Sequence, residues 1–252
     1  MIPFKTKLAE TRPLIGLWQA LANGYAAEIC ARQGFDWLLL DAEHSPNTLQ
    51  TLLAQAQAIA PFGAEVITRV PFGEPVAIKQ YLDMGLHTLL VPMVDNAEHA
   101  RAMVRACRYP PHGIRGVSSA TSRGANFGSD TNYLHDASDR ITLIVQIEST
   151  AGLANIDEIA NVEGVDALFI GPADLAASMG YLGQPAHPEV RAAIASAKAA
   201  IDRAGKPAGI FALSPEHARE CIADGYRFMS VGTDIGLLIA GSQKLLAEVR
   251  GE

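Results

Sequence analysis

Residues 165–179, VDALFIGPADLAASM, pass from an apolar run through Gly171 and Pro172 into a helical pattern. The apolar run predicts a short strand covered on both faces. Gly171 permits a sharp turn, and Pro172 suits the first helical position, where the N–H group that it lacks would have no partner. Ala173 and Asp174 then fall in the first turn, whose free N–H groups can bind an anion. Asp174 could be a metal or substrate ligand, or only an acid favoured by the helix dipole.

The same alternation of apolar strands and amphipathic helices runs along the whole chain of 252 residues. The predicted strands are 14–18, 37–41, 65–70, 88–91, 141–148, 167–170, 208–211 and 228–231. The predicted helices are 24–33, 48–60, 75–84, 97–108, 153–160, 188–204, 215–224 and 235–249. Eight such units without a linker or low-complexity tract predict an α/β fold, a single (β/α)8 TIM barrel that forms one domain over residues 1–252.

Composition and charge exclude several classes of function. A net charge of -7 without a long basic run argues against binding to nucleic acid. The first residues contain no apolar stretch long enough for a signal peptide or a membrane span, so we expect a cytoplasmic protein without a membrane partner. The scattered Cys30, Cys107 and Cys221 lie in helical patterns and are expected to be reduced thiols.

Polar and aromatic side chains collect at the carboxyl ends of the predicted strands, where barrel enzymes carry their active sites. The residues at these ends are Trp18, Gln19, Asp41, Glu43, His44, Arg69, Pro92, Gln146, Glu148, Asp174, Phe211, Gly232 and Asp234. The opposite ends are ordinary connectors with glycines that suit helix C-caps. This asymmetry predicts that the carboxyl ends form a functional site.

Two carboxylates from neighbouring strands indicate a metal site. Gln146 and Glu148 share the parity that faces the barrel interior, and Asp174 follows the next strand. Converging carboxylates repel each other unless a cation or a proton lies between them. An oxygen-rich pair suits a divalent ion such as Mg2+, Mn2+ or Co2+. A structural pair that shares a proton or forms salt bridges is the alternative.

The second and third strands end in groups that suit acid–base and electrostatic catalysis. Asp41 precedes His44 closely enough for its carboxylate to orient the imidazole of a general acid or base. Glu43 could support this pair or face solvent. Arg69 could stabilise an enolate oxygen, or it could be a structural arginine that bridges Glu148 or Asp41.

The positions of the lysines distinguish between two mechanisms for breaking a carbon–carbon bond, because Schiff-base aldolases need a lysine inside the barrel. The sequence places no lysine there, and the last two strand ends lack Lys and Arg, which disfavours a phosphorylated substrate. The connection 109–132 has no periodicity and suits a lid or a binding loop. Its Arg115 and Arg123 could reach an anionic substrate or only solvate the surface.

Several motifs together resemble the HpcH/HpaI aldolase family. They are WLLLDAEHSPN (37–47), TRVPF (68–72), LLVPMV (89–94), RYPPHGIRGVSSA (108–120), LIVQIES (143–149) and FIGPADLAASMGYLGQPAHPEV (169–190). The resemblance implies a TIM barrel of the phosphoenolpyruvate/pyruvate type. It also implies a metal-dependent class II lyase that cleaves 4-hydroxy-2-oxo acids to an aldehyde and pyruvate, or an analogue such as hydroxypyruvate, in aromatic or sugar-acid catabolism.

The resemblance also assigns roles to individual residues. It implies Glu148 and Asp174 as metal ligands, Asp41 and His44 as a catalytic dyad, and Arg69 as the group that stabilises the enolate. The implied substrate-binding residues are Gln146 and the GPAD turn (Gly171, Pro172, Ala173 and Asp174). Trp18 and Phe211, at the ends of their strands, are further candidates for substrate binding. The stretches 118–130 and 211–214 are expected to govern the choice of aldehyde.

The resemblance further implies a homohexamer in which Asp83 lies near the site of a neighbouring subunit. The apolar pattern of 235–249 is consistent with packing on a partner. The sequence leaves two other functions open. One is a CoA-ester lyase of the citramalyl or malyl type, for which no basic cluster is present, and the other is a non-catalytic barrel that binds 2-oxo acids.

Overall fold

Eight parallel strands pair in chain order and close into a barrel, which confirms the predicted fold. The computed structural model describes residues 2–251. The strands are β1 Leu14–Gln19, β2 Trp37–Asp41, β3 Glu65–Arg69, β4 Thr88–Val91, β5 Thr142–Ile147, β6 Ala167–Ile170, β7 Ala208–Phe211 and β8 Phe228–Thr233. Every predicted strand is present, because strands covered on both faces leave continuous apolar runs in the sequence.

Aromatic side chains fill the interior of the barrel. Phe169 of β6 and Phe228 of β8 have ring centroids 5.6 Å apart, and Trp37 of β2 lies 6.2 Å from Phe228. The Trp37 ring leaves no space for a side chain at position 16 of β1, since a Cβ on Gly16 would lie 2.0 Å from it. The interior is therefore a packed core, and solvent reaches the strands only at their ends.

The helices surround the barrel. They are α1 Phe4–Leu8, α2 Gly24–Ala31, α3 Leu49–Ile59, α4 Pro75–Asp83, α5 Ala97–Cys107, α6 Tyr133–Arg140, α7 Thr150–Ala154, α8 Ile156–Ala160, α9 Pro172–Ser178, α10 Pro188–Arg203, α11 Pro215–Ala223 and α12 Asp234–Arg250. The predicted helix 153–160 is wrong in detail, because the segment forms two short helices, α7 and α8, that meet at Asn155. Helices α1 and α6 were not predicted.

Helix α1 closes the amino end of the barrel. Its Phe4 is fully buried and packs edge-to-face on Phe228, with centroids 5.9 Å apart. The backbone N–H of Lys5 donates to Thr142 Oγ1 at 3.0 Å, and Lys7 pairs with Glu65 at 3.3 Å. The amino end is sealed by these contacts, which leaves the carboxyl end as the open mouth.

The connection 109–132 lies at the amino end, so the expectation that it covers the site of its own chain is wrong. Arg115 is 2% exposed, pairs with Asp83 at 2.7 Å and donates to Tyr133 Oη at 3.1 Å. Arg123 donates to the carbonyl of Met84 at 2.9 Å. Neither arginine reaches the mouth or simply solvates the surface. Both fasten the connection to the end of α4.

The last helix, α12, buries only Asp234 on its own barrel. Its exposed apolar side chains are Ile235, Leu237, Leu238, Ile239, Leu245, Leu246 and Val249. Within residues 2–251, no helix is long and apolar enough to cross a bilayer. The three cysteines are free thiols, as predicted, and Cys107 and Cys221 are buried whereas Cys30 is partly exposed.

Candidate active site

The carboxyl ends of β2 and β3 are joined by a buried ion pair. Arg69 donates from Nε to Asp41 Oδ1 at 2.9 Å and from Nη2 to Oδ2 at 2.7 Å. Trp18 of β1 donates from Nε1 to the same Oδ2 at 3.2 Å, and the guanidinium lies 5.0 Å from the Trp18 ring. Burial raises the pKa of Asp41, but the hydrogen bonds and charge of Arg69 outweigh burial and lower the pKa below its ordinary value. Asp41 is therefore a carboxylate that fixes the arginine.

Glu43 is the third partner of this arginine, although the sequence left its direction open. Its Oε2 lies 2.8 Å from Arg69 Nη1 and 3.8 Å from His44 Nε2. Burial raises the pKa of Glu43, and the charge of Arg69 opposes this rise. Glu43 thus faces the site and lies between the arginine and the histidine.

His44 lies at the rim of the mouth, with 67% of its side chain exposed. The expected contact between its imidazole and Asp41 is not formed within the described part of the chain. Asp41 Oδ1 instead accepts the backbone N–H groups of Glu43 and His44, at 3.0 and 3.3 Å. The reason is competition, because both oxygens of Asp41 are already committed to Arg69. Asp41 therefore orients the backbone of His44, and Glu43 is the carboxylate nearest its ring.

Glu148, which directly follows β5, is 2% exposed. Its Oε1 accepts the backbone N–H of Met93 at 2.9 Å, and its Oε2 accepts a hydrogen bond from Gln146 Nε2. The pKa of Glu148 is raised to about 8, chiefly by burial; the Met93 hydrogen bond opposes this rise, and the nearby charges of Asp174 and Glu43 add to it. The charge of Arg69 also opposes the rise, but it is the smallest of these contributions.

The turn between β6 and α9 brings Asp174 to Glu148. A Cβ on Gly171 would lie 2.5 Å from Glu148 Oε2 and 2.8 Å from Gln146 Nε2, so only glycine fits there. Helix α9 begins at Pro172, as predicted, and Ala173 and Asp174 are exposed in its first turn. The turn therefore presents backbone N–H groups and one carboxylate beside the buried Glu148.

The donor set fits a hard divalent cation. Among the described residues, no three His, Cys, Asp or Glu side chains form a group that could hold a metal ion. The protein would supply the carboxylates of Glu148 and Asp174, and water and substrate oxygens would complete the coordination, as is common for Mg2+ and Mn2+. Gln146 Oε1 is buried without a partner in the described chain. A bound dication would stabilise the ionised form of Glu148 against the burial and the neighbouring negative charges that raise its pKa.

An aromatic wall borders these polar groups. The ring of Trp18 lies 5.5 Å from that of Phe211 on β7 and 5.8 Å from that of Phe169 on β6. Phe211 is half-buried at its strand end. Asp234, also noted at a strand end, has a structural role, because it accepts the backbone N–H of Ala20 at 2.9 Å.

The chain is similar to known proteins over nearly its whole length. A family model described as HpcH/HpaI aldolase/citrate lyase matches residues 14–241. The 4-hydroxy-2-oxo-heptane-1,7-dioate aldolase of Salmonella heidelberg (strain SL476) is 49% identical over 249 residues, which cover 99% of this chain and 95% of that protein. The protein of the same name from Shigella sonnei (strain Ss046) is 50% identical over 244 residues, with coverages of 97% and 93%.

A solved structure has the same architecture. It is that of an HpcH/HpaI aldolase/citrate lyase family protein from Burkholderia cenocepacia J2315, with a TM-score of 0.95, 41% identity and 98% coverage of both chains. Family, relatives and fold agree over nearly the whole chain. The chain belongs to the HpcH/HpaI aldolase/citrate lyase family and is an aldolase, which makes it a carbon–carbon lyase.

Proposed function

We propose that this class II aldolase reversibly cleaves 4-hydroxy-2-oxo acids to an aldehyde and pyruvate, or a close analogue such as hydroxypyruvate. The observation that carries the proposal is the position of the buried Glu148 beside the Gly171–Asp174 turn, at the same mouth as the fixed guanidinium of Arg69. The name of the curated relatives, which specifies a 4-hydroxy-2-oxo diacid, supports this substrate class. Within residues 2–251 no lysine lies at the carboxyl end of a strand, which disfavours a Schiff base.

Glu148 and Asp174 would hold the divalent ion, which we expect to be Mg2+, Mn2+ or Co2+. When bound, the ion supplies Lewis-acid polarisation of the 2-oxo group. The backbone N–H groups of Ala173 and Asp174 bind the substrate carboxylate. They are free to do so because α9 begins at Pro172, which places both residues in its first turn. Gln146 lies beside Glu148 and orients its carboxylate.

Arg69 stabilises the negative charge that develops on the substrate. Its guanidinium is held by Asp41 and Glu43 before substrate binds, so no reorganisation is needed when charge appears on the enolate oxygen. A fixed cation in a buried site acts more strongly than one in water. We therefore assign enolate stabilisation to Arg69 and its orientation to the two carboxylates.

His44 acts as the general base. It takes the proton of the 4-hydroxyl group, the C3–C4 bond breaks, and the electron pair of that bond passes into the enolate of pyruvate. Protonation of the enolate at C3 releases pyruvate. The exposed imidazole can exchange its proton with solvent between turnovers, and Glu43 lies 3.8 Å from its Nε2.

The aldehyde portion of the substrate contacts the aromatic wall. Trp18 and Phe211 supply apolar surface on the side of the mouth formed by β1 and β7. Phe211 belongs to this wall, which supports the proposal that 211–214 govern the choice of aldehyde. A difference of one methylene in such a pocket changes selectivity by about 1 to 3 kcal/mol.

The chain is proposed to form a homo-oligomer, and the family resemblance favours a hexamer. The unpacked apolar side of α12 supports association with a second copy, because monomeric proteins seldom expose so large an apolar surface. We expect small 2-oxo acids and aldehydes as the other partners, and the cytoplasm as the location. Light scattering on the purified protein gives the mass of the assembly.

The decisive experiment measures pyruvate release from a panel of 4-hydroxy-2-oxo acids. The protein is stripped of metal with a chelator, and Mg2+, Mn2+ and Co2+ are added back separately. We expect no turnover by the stripped protein and recovery with at least one of these ions. Full activity after exhaustive chelation would exclude the metal-dependent mechanism, and absence of cleavage with every ion and acid would exclude these 4-hydroxy-2-oxo acids as substrates.

A further inference from the structure

Met93 holds the buried Glu148 through its backbone. Its N–H donates to Glu148 Oε1 at 2.9 Å, and its φ angle is 52°. This left-handed conformation is unfavourable for a residue that has a Cβ atom, so contacts with the surrounding structure must maintain it. The Met93 side chain is 42% exposed, which means that core packing does not supply those contacts.

The contacts that maintain it come from the segment immediately after Met93. Asp95 Oδ1 accepts a hydrogen bond from Ser149 Oγ, and the carbonyl of Asp95 accepts one from Asn155 Nδ2 at 2.8 Å. The N–H of the fully buried Val94 donates to the carbonyl of Gln146 at 3.2 Å. The loop after β4 is therefore tied to β5 and to the start of α7.

These hydrogen bonds lie on both sides of Glu148, the candidate metal ligand. Ser149 is the residue after Glu148, so its hydrogen bond to Asp95 and the Met93 hydrogen bond to Glu148 close a short ring of contacts between the two loops. Helix α7 lies close to this ring, since a Cβ on Gly152 would lie 3.1 Å from the carbonyl of Val94. A change at Asp95 would therefore affect Glu148 through Ser149 and through Met93.

We propose that Asp95 and Ser149 are positioning residues that keep Met93 in its left-handed conformation and so fix Glu148 for metal binding. With Oε1 held by Met93, Oε2 faces the Gly171 turn, where a Cβ would lie 2.5 Å from it. This inference rests on the proposed function, in which Glu148 is a metal ligand. It adds two residues that touch neither metal nor substrate.

A purely structural role is the competing explanation, because Ser149 Oγ also caps α7 by accepting the N–H of Gly152 at 2.9 Å. Asp95 separates the two roles. Asp95→Ala removes the hydrogen bond from Ser149 Oγ but leaves the cap of α7 intact, whereas Asp95→Asn keeps an oxygen that can accept this hydrogen bond. Ser149→Thr retains the hydroxyl group. Ser149→Ala removes both the hydrogen bond to Asp95 and the cap.

The test measures Mn2+ binding to the metal-free protein by isothermal titration calorimetry, together with thermal unfolding of the same metal-free samples. We expect Asp95→Ala to weaken binding about tenfold, as outer-shell partners of metal ligands commonly do. Asp95→Asn is expected to bind more tightly than Asp95→Ala, and Ser149→Thr more tightly than Ser149→Ala. Asp95→Ala that binds Mn2+ as tightly as Asp95→Asn would overturn the inference.

A double-mutant cycle with Met93→Gly tests the route of the effect. Glycine adopts a positive φ without steric cost, so the hydrogen bond between Ser149 and Asp95 is no longer needed to keep residue 93 in the left-handed conformation. In the Met93→Gly background, Asp95→Ala should weaken Mn2+ binding by less than about twofold. A loss as large as in the wild-type background would overturn the inference.

Glu148→Gln separates the two levels of the argument. If the wild-type protein and Glu148→Gln bind Mn2+ equally, the proposed metal site fails. If Glu148→Gln alone abolishes binding and the Asp95 and Ser149 variants bind like wild type, only the positioning inference fails. Should Asp95→Ala be unstable, the Ser149→Thr and Ser149→Ala pair replaces it, and thermal unfolding of the metal-free samples reports the loss of the α7 cap separately from the loss of Mn2+ affinity.

Discussion

Arg69 and Asp41 form a two-point ion pair across β2 and β3, with Nε to Oδ1 at 2.9 Å and Nη2 to Oδ2 at 2.7 Å. Both side chains are almost fully buried, at 8% and 4% exposure. The planar fork of arginine matches the carboxylate, whereas a lysine ammonium could meet it only as a point charge. The orientation of the guanidinium toward the mouth therefore depends on Asp41 as much as on Arg69 itself.

Arg69→Lys is expected to keep a positive charge and lose most of the activity. The loss should be about 10²- to 10³-fold in kcat, the range seen when one preorganised donor to a developing oxyanion is removed. Steady-state kinetics of pyruvate release measure it. Arg203→Lys on α10 is the matched control, because it makes the same change at an exposed arginine away from the mouth. Near-normal kcat in Arg69→Lys would show that the fork geometry is not needed.

Gly171→Ala is expected to disrupt the metal site without a change in charge. The added Cβ would lie 2.5 Å from Glu148 Oε2, so the carboxylate or the turn must move. We expect Mn2+ affinity to fall by about tenfold or more. Gly241→Ala on α12 is the control, since a Cβ there has no atom within 4 Å in this chain. Calorimetric titration of both variants gives the comparison, and equal affinities would place Glu148 outside the metal site.

His87, which directly precedes β4, is expected to lower the free energy of unfolding of the protein in acid. Burial, followed by the charges of Arg115, Arg140 and Arg123, lowers its pKa from 6.5 to about 4. The unfolded chain therefore binds more protons than the folded protein between these values, and stability falls as pH decreases from 6.5 toward 4. The contribution of His87 to this fall is at most about 3 kcal/mol.

Urea unfolding of the metal-free protein at several pH values between 7 and about 4.5 measures this effect. His87→Gln is expected to show a smaller loss of unfolding free energy over the range than wild type. Glu148, whose raised pKa acts in the opposite direction, is common to both proteins and cancels in the comparison. Equal pH dependence in the two proteins would rule out His87 as the source.

The barrel and the main site residues could be predicted because they leave a local pattern in the sequence. Buried parallel strands are apolar runs, and the parity of Gln146 and Glu148 directs both into the interior. The order of the elements along the chain also predicts at which end of the barrel the connection 109–132 lies, which the prediction of a lid did not take into account. The segment between helix α5 and strand β5 must lie at the amino end of the barrel, and 109–132 belongs to it.

Other features depend on tertiary contacts that no pattern reveals. Helix α1 is too short for a periodic signal, and its place is fixed by the packing of Phe4 on Phe228. Met93 acts through its backbone N–H, so its side chain gives no indication of its role. The contact of Glu43 with Arg69 depends on the path of the loop after β2. The bridge between Arg69 and Asp41 was one of the alternatives that the sequence left open, whereas the expected contact of Asp41 with the imidazole of His44 is not formed among the described residues.

His44→Ala provides a test of the base that does not disturb the rest of the site. We expect kcat for aldol cleavage to fall about 10²- to 10⁴-fold, the usual contribution of a positioned general base. Mn2+ affinity and thermal stability should stay close to wild type, because the imidazole is exposed and is not bonded to Glu148 in the described structure. His135→Ala, an exposed histidine on α6 at the opposite end of the barrel, should leave kcat unchanged. If His44→Ala cleaved its substrate at a near-normal rate, proton removal would have to be assigned to another group at the mouth, and Glu43 would be the next residue to test.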